Sequence, residues 1–306
     1  MTRSLAVQGS DGCTRAASKS SGAASVGRDL RITLLHRIDA WGVALVVCAV
    51  ALLVHDAVRI STVALSVAVA FLYWLGYEVN DYYDASNDSQ DPVKTPRNFF
   101  VNHPVSPGVA AAGFLSLGSL PFLAFARFGL SGVVLFVAAV LMMWAYSAPP
   151  VRLKSRPGLD LLAHALFVQT FAYFMCLILI DAVWGTLDYL ILAVNFLASL
   201  SGQLAQHVRD FDVDSRTDVS FATTFGRRTT AACLRAVTSL LVVTVVAGFA
   251  SGVVPLYFAP IALTFAPATL DRLRGNPRGR SARLVTLTTT AALLYTGVLL
   301  ATNLLD

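Results

Sequence analysis

The chain has 306 residues, of which 56% are hydrophobic and only 13% charged, against about a quarter charged in an ordinary globular domain. A soluble fold cannot hide that much apolar surface, and the net charge of +5 does not indicate a nucleic-acid binder, because the basic residues are spread by loop instead of gathered on one face. Windows nearly free of charge match the roughly 20 apolar residues that a helix needs to cross a bilayer core about 30 Å thick.

In chain order the windows fall near residues 39–58, 62–80, 108–126, 129–147, 159–180, 186–206, 229–250, 253–270 and 284–304. The expected fold is therefore all-α, a polytopic membrane protein of nine transmembrane helices with no room for a separate soluble domain. Residues 1–30 mix Ser, Gly, Ala and Arg without the apolar core of a secretory signal, and read as a disordered cytoplasmic tail ahead of one domain over 31–306. Cys13, Cys48, Cys176 and Cys233 show neither pairing nor metal spacing and read as small apolar fillers.

Charge then orients the chain. The tail and the even-numbered loops hold 20 of the 23 Lys and Arg. Discounting Arg3, Arg15 and Lys19, which lie far from any span end, 17 remain against two in the odd loops, Arg59 and Arg127. The N-terminus and even loops are expected in the cytoplasm of a cell-membrane protein. Arg272, Arg274, Arg278, Arg280 and Arg283, in the last even loop, read first as topology markers and second as contacts for anionic lipid or a partner.

The acidic residues are 17 Asp and a single Glu, and eight of them crowd two short segments after the second and sixth spans. Clustered like charges repel, so a cation is the natural missing partner. After the second span come Asn80, Asp81, Asp84 and Asp88. If that helix continues until Pro92 stops it, the three carboxylates share one face at i, i+3 and i+7. Such a hard-oxygen face suits Mg²⁺ held by a few carboxylates plus substrate phosphate, and a solvated acidic helix end is the alternative. After the sixth span, Asp210, Asp214 and Asp218 repeat every fourth residue. Asn195, Ser199, Gln203, Gln206 and His207 approach that stripe from within the span, where polar side chains face a wet cavity or act as interhelical hydrogen-bond glue. The two clusters, both on the cytoplasmic side, are expected to be facing halves of one site.

These residues carry a resemblance. Asn80-Asp81-x-x-Asp84-x-x-x-Asp88 is similar to the first aspartate-rich motif of the UbiA superfamily of intramembrane prenyltransferases, Asp210-x-x-x-Asp214 resembles the second, and Tyr146-Ser147-Ala148-Pro149-Pro150-Val151-Arg152-Leu153-Lys154 resembles the stretch that often follows the family's fourth helix. The resemblance covers the chain from about residue 31 and implies a single bundle with a central cavity open to the cytoplasmic side. It implies that Asn80, Asp81, Asp84, Asp88, Asp210, Asp214 and Asp218 bind Mg²⁺, with Asp84, Asp210 and Asp214 central to catalysis. The partners it implies are a prenyl diphosphate donor, a hydrophobic or aromatic acceptor and membrane lipid. Lys94, Arg97, Arg152 and Lys154 are candidates to hold the diphosphate, where cations stabilise the charge that develops on the leaving oxygens. Tyr83, Tyr146, His164, Gln203 and His207 are candidates for the acceptor or cation pocket, with His164 one turn from Asp160 and able to pair with it. Glu78 offers a base or a supporting partner.

Departures from the family pattern bear on the acceptor. Asn102-His103-Pro104 stands where many members carry Arg-Pro, and Asp91-Pro92-Val93-Lys94 resembles the Asn-Pro-x-Lys of lycopene-elongase-like members. Rival readings are a terpene cyclase of the same superfamily, a phosphoribosyl-transferring member and, outside enzymes, a divalent-cation transporter. The last fits less well, because transport sites lie near the bilayer midplane.

Overall fold

In the computed structural model, the residues described are 27, 31–92, 94–217, 219–275 and 280–305, and they contain helices and no strands. The expected tail over 1–30, Gly27 apart, and the candidate ligand Asp218 lie outside the described residues. Each of the nine apolar windows falls on a helix. These are α1 (Ile38–Val54), α2 (Ile60–Asp88), α3 (Pro107–Ala126), α4 (Gly129–Ser147), α5 (Leu159–Leu179), α6 (Thr186–Thr217), α7 (Arg227–Ala250), α8 (Ala259–Leu273) and α9 (Arg280–Leu305). Seven of the described helices are long and apolar enough to cross a membrane. The other two, α1 and α8, have 17 and 15 residues.

Length sets α2 and α6 apart. With 29 and 32 residues and a rise of about 1.5 Å per residue, they run to roughly 43 and 48 Å, beyond the ~30 Å hydrocarbon layer. The overhangs are the C-terminal turns, and they carry the acidic motifs. α2 ends at Asp88, four residues short of Pro92, where the Ser89 amide bonds to Ala85 O at 3.1 Å and the Thr95 hydroxyl donates to Asp88 O at 3.0 Å. The turn chemistry stops the helix before the proline must.

α1, α2, α4 and α5, joined by Phe125 of α3, share an apolar core in which Cys48, Leu65, Tyr173 and Met175 are completely buried. α5 is not a regular helix. Its turn Leu166–Thr170 is widened to a π turn, with the Thr170 hydroxyl bonded to Ala165 O at 2.8 Å and the Phe167 carbonyl accepting the Tyr73 hydroxyl. Such insertions re-aim side chains, and here Phe167, Val168 and Gln169 line the central cavity while the following turns keep the core register.

Candidate active site

A cavity of about 1300 Å³ runs through the bundle. One end is lined by Asn80, Asp81, Asp84 and Asp88 from α2 and by Asp210 and Asp214 from α6; the other runs between apolar walls that include Val43, Val47, Ile191, Phe249 and Phe265. Two segments 130 residues apart in sequence thus share one chamber, as the facing-halves reading expects. Lys94 lies between them. Burial favours its neutral form, but the carboxylates Asp214, Asp210, Asp88 and Asp91 outweigh burial and hold the ammonium above its ordinary pKa.

On α2, Asn80 and Asp84 are one turn apart, and Asn80 Nδ2 donates to Asp84 Oδ2 at 3.1 Å. The turn after α4 comes back over them. Arg152 adopts a left-handed φ of 37°, and Lys154 then reaches Asn80 Oδ1 at 2.9 Å and Asp84 Oδ1. Arg152 Nη2 stands 3.5 Å from the same Asp84 oxygen, although Arg152 does not line the cavity. Ser147 adds a hydroxyl on Asn80 Oδ1 at 3.1 Å. Asp88 accepts Asn98 Nδ2 at 2.9 Å and faces Lys94 Nζ at 4.0 Å. Arg97 lines the cavity and is exposed.

Asp81 is engaged differently from its neighbours. It is 2% exposed and ion-paired with Arg37, whose guanidinium also lies 5.1 Å from the centre of the Tyr77 ring. The pairing with Asp81 raises the Arg37 pKa despite burial. On α6, Asp210 accepts Arg209 Nε at 3.0 Å. Deeper along the helix, Gln203 Nε2 lies 3.0 Å from His207 Nε2 and 3.5 Å from the Tyr146 hydroxyl.

Two expectations need correction. Tyr83 is not among the residues lining the cavity; it meets Tyr82 edge-on at 5.2 Å, because one step along the helix from Asp84 turns it about 100° from that face. His164 does not pair with Asp160. It meets Ser199, with 3.2 Å from Nδ1 to Oγ. Asp160 caps its own helix through the Gly158 and Leu161 amides at 2.7 and 2.8 Å, takes the Phe221 amide at 2.8 Å, and faces His207 Nε2 at 3.8 Å.

Three contributors escaped the sequence reading. Arg37 is 44 residues from Asp81, beyond any local pattern. Asn98 is 2% exposed and spans Asp88 and the Asp81 carbonyl; its use as the N-cap of the one-turn helix Phe99–Asn102 is the signal that could have found it. Arg272 lines the cavity instead of only marking topology.

All the donors on the acidic overhangs are hard oxygens, the chemistry Mg²⁺ prefers. Among the described residues, no three His, Cys, Asp or Glu side chains already converge on one point. That arrangement fits an ion that takes one or two carboxylates here and completes its shell with water and substrate phosphate.

The profile of the UbiA prenyltransferase family matches residues 40–290. No curated protein matches the chain. Among solved structures, a UbiA homolog from Archaeoglobus fulgidus bound to GPP and Mg²⁺ superposes with a TM-score of 0.69 at 17% identity, covering 87% of this chain and 98% of that one. A UbiA homolog from Aeropyrum pernix K1 gives 0.68 at 18%, covering 86% and 98%, and a digeranylgeranylglyceryl phosphate synthase gives 0.58 at 12%, covering 89% and 98%. At such identities the structures speak for the fold alone. With the profile spanning most of the sequence, this chain belongs to the UbiA prenyltransferase family.

Proposed function

We propose that this protein is a Mg²⁺-dependent prenyltransferase that moves an isoprenyl group from a prenyl diphosphate to a small acceptor, aromatic or quinonoid. The observation that carries the reading is the meeting of both acidic motifs on one cavity with Lys94 between them. The relatives bound to GPP or DMAPP together with Mg²⁺ support it. All of α1–α9 cross the bilayer in this reading, with the N-terminus and cavity mouth in the cytoplasm, as the 17-to-two basic asymmetry supports.

Asn80, Asp84 and Asp88 from α2 and Asp210 and Asp214 from α6 are the side chains that would hold Mg²⁺, one or two carboxylates to each ion. Bound there, Mg²⁺ would supply the positive charge that neutralises the diphosphate oxygens when the allylic C–O bond breaks. Lys154 and Lys94 are the cations nearest those carboxylates and take up the charge that develops on the leaving group. Each such charge-assisted bond contributes about 1.5–3 kcal/mol. Beyond the mouth, the aliphatic wall of α1 and the rings of Tyr73 and Phe167 exclude water and shield the allylic cation. Tyr146, Gln203 and His207 stand beside the same space and orient the acceptor, whose nucleophilic carbon or oxygen takes the isoprenyl group.

The test is transfer in membranes supplied with prenyl diphosphates of several lengths and a metabolite extract, read by mass spectrometry. Asp84→Ala or Asp210→Ala is expected to cut transfer by at least about 100- to 1000-fold with the melting temperature near wild type; full activity in either variant refutes the two-motif reading. Chelation is expected to stop turnover and Mg²⁺ add-back to restore it, and undiminished turnover in chelator defeats the metal requirement. Diphosphate release without any acceptor would instead mark a cyclase.

A further inference from the structure

One basic residue, Arg235, lies inside the seventh apolar window and belongs to neither side of the loop-charge asymmetry. It stands eight residues into α7, about 12 Å along the helix, and is exposed on the outside of the bundle, away from the central cavity. A lipid-facing guanidinium at that depth is costly unless its stem carries it back to the interface. Helical side chains lean toward the N-terminus of their helix, which for α7 is the cytoplasmic end. The guanidinium arrives over Gly275, a buried residue just past the end of α8. Arg235 Nη1 stands 2.6 Å from where a Cβ on Gly275 would be, and Cγ and Cδ stand 3.3 Å from it. Gly275 has a φ of +69°, so glycine here both ends α8 in the left-handed region and leaves the room that Arg235 fills.

The negative end of the α8 dipole favours a cation at that place, but it amounts to only about half an elementary charge. Among the described residues the Arg235 side chain makes no hydrogen bond or ion pair, unlike Arg227, whose Nη1 reaches Asp212 Oδ2 at 3.2 Å. Two further arginines stand near. Arg228 is seven residues before Arg235 and on the same face of α7, and Ala232, exposed between them, is too small to cover the space. Arg274 is the C-cap of α8, next to Gly275. Both are exposed, and neither side chain has a partner among the described residues. Three uncompensated cations on one edge of the bundle call for an anion, and a planar guanidinium fork matches a phosphate. At the border of the cytoplasmic leaflet the phosphates at hand are those of lipids. We propose that Arg235, with Arg228 and Arg274, binds the phosphate diester of an anionic phospholipid against the outer face of the α7–α8 pair. The site rests on the orientation given above and not on the transfer reaction.

The experiment titrates the purified full chain, in neutral detergent, with phosphatidylglycerol or phosphatidylcholine of equal acyl length. Retained lipid is counted by native mass spectrometry, and binding of GPP plus Mg²⁺ is followed in parallel. The wild type is expected to hold one phosphatidylglycerol about 10- to 100-fold more tightly than phosphatidylcholine, the scale of charge-assisted hydrogen bonds. Arg235→Gln is expected to erase that preference while GPP binding stays, and Arg235→Lys, which keeps the charge without the fork, to retain a fraction. Arg216→Gln removes a cytoplasmic charge elsewhere and is expected to preserve the preference. The proposal is overturned if the wild type does not distinguish the two lipids, if the preference survives Arg235→Gln, or if Arg216→Gln weakens it as much, which marks a diffuse charge effect. Free glycerol phosphate binding as tightly as the lipid also overturns it. Should Arg235→Gln lose GPP binding as well, Arg274→Gln decides: a weakened preference supports the site and an unchanged one refutes it. Failure of the wild type to bind GPP, with an Arg235-dependent lipid preference intact, breaks the prenyl-transfer reading and leaves the lipid site standing.

Discussion

Two ends of the bundle hold carboxylates in opposite ways. At the end away from the acidic motifs, Asp188 is 1% exposed and surrounded by fixed donors: His55 Nε2 at 2.9 Å, the Tyr173 hydroxyl at 2.8 Å and the Gly185 amide at 2.7 Å. Those donors come from the C-cap of α1, from α5 and from the turn before α6, so the carboxylate ties three parts of the chain together. At the motif end, Asp84 and Asp210 are each 19% exposed as side chains and are held by the charged ends of long side chains, Lys154, Arg152 and Arg209. The contrast separates an acid that stabilises from an acid that waits for a ligand. A buried carboxylate that already accepts from a ring, a hydroxyl and a backbone amide has at most about one of its four acceptor sites left to offer; one neutralised by side-chain ammonium and guanidinium groups can exchange them for a metal ion.

That contrast can be broken by substitution. Asp188→Ala leaves His55 and Tyr173 without their shared partner and is expected to cost about 3 kcal/mol of stability, seen as a lower melting temperature in detergent with GPP affinity unchanged; a melting temperature equal to wild type would remove the distinction. Lys154→Met is expected to do the reverse, lowering transfer about 10- to 100-fold, the equivalent of losing charge-assisted bonds of about 1.5–3 kcal/mol, at little change in melting. Asn98→Ala sits between the two. It uncaps Phe99–Asn102 and frees Asp88, so a stability loss of about 1 kcal/mol should accompany a several-fold fall in transfer. If only one of the two effects appears, Asn98 belongs wholly to one class.

The legible part of the molecule is the part written locally. Apolar windows become helices because each can satisfy its own backbone in lipid, and Asp81, Asp84 and Asp88 share a helix face because 3.6 residues make a turn. Arg37, Asn98 and Arg272 were opaque for a common reason: each acts across a gap between elements, and a sequence shows no distances. Arg272 was harder still, since every even loop is basic and the rule that explains the set hides its exceptional member. The π turn of α5 was invisible because Leu166–Thr170 contains no Pro or Gly to announce it. It places Phe167, Val168 and Gln169 on the cavity, while Met175 and Leu177 further along the helix stay in the core.

The overhang of α2 and α6 beyond the hydrocarbon layer has a consequence for how the proposed reaction ends. A reaction centre mounted on those turns stands at the border of two solvents. The severed diphosphate, multiply charged, faces water at the moment it forms, while the alkylated product keeps its tail among the helices and beside the lipid. Partition alone then sorts the two products into different phases, and the enzyme needs no separate device to keep them from recombining.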